Sequence, residues 1–169
     1  MYKEIKSLNL QEIDQEMLSF WEANKVFEKS IESKIGAENF VFYEGPPSAN
    51  GKPGIHHVMG RTVKDLFCRY QTLIGKKVFR KGGWDTHGLP IELSVEKELG
   101  ITKEDIGTKI TIDKYNHKCR ETVMRFKSEW DELTRKMGYW VDLDNPYITF
   151  ENDYIESVWY KKKKIYEKN

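Results

Sequence analysis

Apolar residues recur at three- and four-residue intervals through most of the chain, so helices dominate the expected structure. Leu10, Ile13, Met17, Phe20 and Trp21 predict a first helix that packs one face inward, ends near Asn24-Lys25 and is followed by a turn at Gly36. Phe40–Tyr43 is a short β-prone run, stopped at Glu44-Gly45-Pro46-Pro47 because two prolines cannot donate to a ladder. Ile55, Val58, Met59, Val63, Leu66, Phe67, Tyr70, Leu73 and Ile74 then form a stripe at helical spacing, closed by Gly75. Lys77–Arg80 supplies a second strand, and strand, crossover helix and strand over this length predict a right-handed parallel βαβ unit. That unit would deliver Gly82-Gly83-Trp84-Asp85-Thr86-His87-Gly88-Leu89-Pro90 as a glycine-rich loop at the carboxyl edge of the sheet, where open α/β folds bind ligands.

Beyond the loop, Ile91–Leu99 reads as a short helix ended by Gly100. Tyr115, Cys119, Val123, Phe126, Trp130, Leu133 and Met137 lie on one face of a single longer helix before Gly138. Asn145-Pro146 marks a turn. A last helix from about Asn152 carries Ile155, Val158, Trp159, Ile165 and Tyr166, with Lys161–Lys164 interrupting its apolar face and leaving a solvated, frayed end. The class is therefore α/β, with an N-terminal helical appendage over residues 1–39 ahead of the α/β segment 40–169.

Composition narrows the function classes. Hydrophobic residues at 38% and aromatics at 13% offset 33% charged residues, which argues for a folded chain over a disordered one. The net charge of +1 gives no whole-chain case for nucleic-acid binding, so any RNA contact has to be local. Residues 1–14 contain no apolar core of signal-peptide length and no run approaches the roughly 20 residues of a membrane span, so a soluble cytoplasmic protein is expected, with no membrane partner. Cys68 and Cys119 stand far apart and outside any Cys-x-x-Cys pair, so neither a disulfide nor a zinc site is indicated, and no metal ligands are assigned.

The chemistry concentrates in two loops. Residues 45–57 run from a strand directly into a helix, so free backbone N–H groups and the positive helix end face the loop, while Gly51 and Gly54 leave room for a close-lying nucleotide. The spacing matches neither the Gly-x-Gly-x-x-Gly fingerprint nor the Walker pattern, and alone it also fits a structural tight turn.

Pro46-Pro47-Ser48-Ala49-Asn50-Gly51, with a histidine pair entering the helix, resembles the first signature of the class I aminoacyl-tRNA synthetases for isoleucine, valine and leucine. Gly82 to Glu92 resembles the isoleucyl form: valyl enzymes usually lack the tryptophan and the Leu-Pro pair, and leucyl enzymes the histidine. The tryptophan-bearing first helix and Met137-Gly138-Tyr139-Trp140-Val141-Asp142 extend the likeness over nearly the whole chain. The usual His-x-Gly-His is here Gly54-Ile55-His56-His57, a variant found among isoleucyl enzymes, in which only His57 matches directly. Either Gly54 admits the adenine and His56 supplies the second imidazole, or His56 points to solvent.

The resemblance implies that residues 40–169 are the first half of a truncated Rossmann-like, HUP-type catalytic domain with parallel strands. It further implies an amino-terminal fragment of an isoleucine-tRNA ligase whose remaining catalytic sheet lies elsewhere and which is inactive alone. The substrates implied are isoleucine, ATP with Mg2+, and tRNA(Ile). ATP would meet Pro47, Ser48, Ala49, Asn50, Gly51, Gly54, His56 and His57, with His57 and His56 donating to phosphate oxygens as charge builds. Isoleucine would meet Gly45, Pro46 and Pro47 with its side chain and Asp85 with its ammonium, beside Trp84 and His87. Blander readings stand next to these. His56 and His57 could be an exposed helix-start pair, Asp85 could cap its own turn, and His87 could be purely structural. Trp84, Trp130 and Trp140 read as packing residues, and His117 and the lysine run as solvated. The alternative functions are a stand-alone nucleotide-binding or regulatory module without catalysis, or a valyl or leucyl fragment.

Overall fold

The computed structural model describes residues 7–168. Seven helices and two strands follow in order among them: α1 (Leu10–Ala23), α2 (Val26–Glu32), α3 (Ile55–Leu73), β1 (Lys81–Trp84), α4 (Leu89–Leu99), α5 (Ile112–Val123), α6 (Lys127–Lys136), β2 (Asp142–Ile148) and α7 (Asn152–Tyr166). A 3-10 turn, Lys103–Asp105, lies between α4 and α5. β1 and β2 pair in parallel, and the class is α/β as expected.

α1 starts on Asn9, whose side chain accepts the Glu12 amide, and ends at Asn24. The segment between it and the turn at Gly36, for which the sequence pattern predicts no element, is the helix α2, entered through Lys25 in the left-handed region. Trp21 and Phe27 from the two helices meet Trp140, at ring-centroid distances of 5.3 and 6.2 Å.

The strands differ from expectation in place more than in kind. Phe40–Tyr43 forms no strand: parallel pairing there is the single bridge Asn39↔Lys77, with the Phe40 amide donating to Lys77 O. With one neighbour and prolines immediately downstream, the run has nothing to extend its ladder. The second strand is Lys81–Trp84, not Lys77–Arg80, so Gly82 and Gly83 are strand residues and the loop begins only at Asp85. Its partner β2 absorbs the expected Asn145-Pro146 turn. Register jumps from Lys81↔Asp142 to Gly83↔Tyr147, and the extra residues fold over the Asp142 carboxylate, which accepts the amides of Asp144 and Asn145.

The single helix expected over 115–137 is broken at Met124–Phe126 into α5 and α6. Phe126 donates its amide to Ala49 O at 3.0 Å, outside any helix, so a tertiary bond takes the group the α-ladder would have used.

α3 forms where its period places it, but its apolar stripe faces outward. Ile55, Met59, Val63, Leu66, Phe67, Tyr70 and Leu73 are all more than half exposed, whereas Arg61 and Cys68 are buried. The inward face is polar. Asp65 accepts Arg69 Nε at 2.6 Å and Arg80 at 3.2 Å, and Arg80, 1% exposed, also donates to Trp140 O and Thr72 Oγ1. The hydrophobic core sits instead around Ala49, Trp84 and Trp130, with Met124, Phe126 and Ile148 packed against it.

Candidate functional site

The core cluster lies directly beneath the two loops singled out by sequence. Ala49 of the first loop is fully buried in it, its carbonyl held by Phe126, while Gly51 O accepts the Trp130 indole N–H at 2.8 Å. Asp85 of the second loop donates its amide to Pro47 O at 2.9 Å. The loops are therefore bonded neighbours on one core.

A cleft of about 520 Å³ opens beside the first loop, lined among others by Glu44, Gly45, Pro46, Pro47, His56, His57, Arg61, Lys64, Pro90 and Trp130. Ser48, Asn50 and Gly51 line it as well, with Ser48 donating to Asn50 Oδ1 at 3.0 Å. Gly54 caps α3, directing the positive helix end to this space.

His57 reaches back so that Nδ1 accepts the Gly54 amide at 2.9 Å. The acceptor role leaves the ring proton on Nε2, a donor for an anion. Burial, then the His56 ring and the Arg61 cation, hold the His57 pKa below its ordinary value. His57 also meets the Trp130 ring edge-on at 4.6 Å and the His56 ring at 3.8 Å. His56 is exposed and borders the cleft.

Three groups of the cleft wall were missed by sequence reading. Glu44, its side chain 4% exposed, holds Lys64 Nζ at 2.6 Å and accepts the Tyr139 hydroxyl at 2.6 Å. Burial and the adjacent Glu44 carboxylate raise the Tyr139 pKa far above the ordinary phenol range, so it stays a donor. Arg61 donates to Thr134 Oγ1 and lies over the Trp130 and Tyr139 rings at 5.0 and 5.7 Å. His57, Arg61 and Lys64 follow one another at i, i+4 and i+7 on the inward face of α3, a basic line the apolar stripe opposite it obscured.

The second loop is placed differently from the first. Trp84 is buried against Trp130 and does not line the cleft beside the first loop, in keeping with a packing role. Asp85 accepts the His87 amide at 3.2 Å, the turn-capping geometry weighed beside its ligand role. His87 is exposed, borders a separate hollow with Gly88, Tyr115 and Arg120, and shares a 2.8 Å hydrogen bond with Thr149. Of the residues expected around the amino acid, Gly45, Pro46 and Pro47 line the cleft; Asp85 stands at the seam, and Trp84 and His87 stand outside.

Residues 16–169 match the family described as tRNA synthetases class I (I, L, M and V). The isoleucine–tRNA ligase of Cytophaga hutchinsonii is 68% identical over 163 residues, 96% of this chain and 15% of that protein. That of Porphyromonas gingivalis is 57% identical over 167 residues, 99% of this chain and 15% of its own length. The chain thus spans about a seventh of these relatives. Among solved structures, the leucyl-tRNA synthetase of Agrobacterium radiobacter K84, in ternary complex with tRNA and LeuAMS, superposes with a TM-score of 0.61 over 92% of this chain and 17% of that one. At 19% identity that match speaks to the fold.

Proposed function

This chain belongs to the class I tRNA synthetases of the I, L, M and V group, and from that premise we propose that it forms the nucleotide- and amino-acid-receiving part of an isoleucine–tRNA ligase. The observation that carries the reading is the Asp85 N–H to Pro47 O bond, which ties the amino-acid loop to the rim of the phosphate cleft.

In the proposed reaction a carboxylate oxygen of isoleucine attacks the α-phosphorus of ATP, diphosphate leaves, and isoleucyl-adenylate forms. The acyl group then passes to a terminal ribose hydroxyl of tRNA(Ile). The chain's own contribution is positioning and charge stabilisation. The amino end of α3 and His57 Nε2–H face the triphosphate, with His56 beside it and Arg61 and Lys64 adding positive potential behind. Gly45, Pro46 and Pro47 border the aliphatic side chain, and Asp85 holds the ammonium from the seam. Magnesium enters with the nucleotide as part of the substrate: Glu44, the one carboxylate among the described residues that line the cleft, is already engaged by Lys64 and Tyr139.

Isoleucine-dependent exchange of labelled diphosphate into ATP by the complete gene product tests the reading. Exchange with isoleucine is expected, with valine following at a lower kcat/KM, since one methylene separates the two by a factor of about 10–200. Exchange only with leucine or valine, or with none of the three, would overturn it.

A further inference from the structure

Three successive amides of the second loop go to three different partners. Asp85 N–H donates to Pro47 O at 2.9 Å, Thr86 N–H to Thr149 Oγ1 at 2.9 Å, and His87 N–H to Asp85 Oδ1 at 3.2 Å. Thr149 is the residue just past β2, and its own amide donates to Trp84 O at 3.2 Å, the last rung joining the two strands. At the next step β1 leaves the ladder, and the Thr86 amide, in a buried residue, would lose its partner. The Thr149 hydroxyl, 6% exposed as a residue, takes that amide in place of a backbone carbonyl. The same oxygen shares hydrogen bonds with Thr86 Oγ1 at 2.9 Å and His87 Nδ1 at 2.8 Å.

We propose that Thr149 is a positioning residue for amino-acid binding: its hydroxyl fixes the direction in which residues 85–87 leave the sheet and so sets where the Asp85 carboxylate stands. The inference deepens the ligase reading and rests on it. It assigns a role to a residue about 60 positions from the loop in sequence, lying in no signature. The Thr149 hydroxyl bonds Thr86 and His87 of the second loop and does not line the cleft with the first, so its effect is expected on the amino acid held by Asp85 and not on the nucleotide.

The test is steady-state diphosphate exchange by the complete gene product carrying Thr149→Val, which keeps the shape and removes the hydroxyl, and Thr149→Ser, which keeps the hydroxyl. The KM for isoleucine is expected to rise about tenfold in T149V, with the KM for ATP within about twofold of wild type and T149S restoring isoleucine affinity. His87→Ala, at an exposed position, removes one of the three hydroxyl contacts without opening the interior. It is expected to raise the isoleucine KM about threefold, and it decides the matter if T149V fails to fold. The proposal falls if T149V raises the two KM values equally or lowers only kcat, if T149S is as impaired as T149V, or if H87A leaves the isoleucine KM unchanged. A wild-type protein without isoleucine-dependent exchange would instead overturn the ligase reading.

Discussion

His57 shows how much chemistry one side chain acquires from its neighbours. Its position at the start of α3 is readable in sequence, but the acceptor role of Nδ1 comes from the Gly54 amide, and the lowered pKa from burial and from the neighbouring His56 and Arg61. Because the folded ring holds its proton less tightly than an unfolded histidine, acid favours unfolding. Stability present above pH ~6.5 is lost as the pH falls from there through the folded value. Denaturant midpoints followed from pH 8 to 5 are therefore expected to fall more steeply for wild type than for His57→Gln, which can still accept the Gly54 amide but does not titrate. Parallel profiles would refute this. Gly83 makes the complementary point about space: a Cβ there would enter the Tyr147 ring, whose hydroxyl donates to Glu44 O at 3.0 Å. Gly83→Ala is expected to cost about 1–3 kcal/mol in chemical denaturation. Adding Tyr147→Leu should recover part of that loss, which it would not do if the cost came from the strand backbone.

At the scale of elements, the break between α5 and α6 does what an unbroken helix could not. It frees the Phe126 amide for Ala49 O and sets α6 so that Trp130 reaches Gly51 O, giving the first loop two anchors on one element. Trp130→Phe keeps most of the packing and loses the indole donor. In diphosphate exchange it is expected to raise the KM for ATP roughly three- to tenfold, the equivalent of one neutral hydrogen bond, with little change for isoleucine. A selective effect on isoleucine would contradict the assignment of the first loop to the nucleotide. The strands show the limit of pattern reading: Gly82-Gly83 carries the composition of a loop, and only pairing with β2 makes it a strand.

Across the whole molecule, the most consequential feature is that α3 turns its polar face inward. Leu66, Phe67, Tyr70, Leu73 and Ile74 stand exposed on α3 and its end, and Phe79 just beyond it. An apolar surface of this kind favours association in water. The purified 169-residue chain is expected to show concentration-dependent mass in light scattering, and Leu66→Glu with Phe67→Glu to reduce it while leaving far-ultraviolet circular dichroism unchanged. A monomer at all concentrations would refute this. The inward face holds Asp65 against Arg80 and lays Arg69 over the Trp21 and Trp140 rings, so a buried ionic network lines it.

What the chain's residues determine unaided is therefore local. Helical periods, Pro-terminated and Gly-terminated segments, the α/β class and the two signature loops are encoded over a few neighbouring positions, as are their likeness to the synthetases and the glycine-capped start of α3. Which face of α3 is inward, where β1 begins, why one long helix is two, and which distant residues, Trp130, Tyr147 and Thr149, hold the loops were decided only by tertiary structure. Each depends on a hydrogen bond or a ring contact between residues some 60 to 100 positions apart. Periodicity along the chain reports that a face exists, but the partner it meets is set by the packing of the whole.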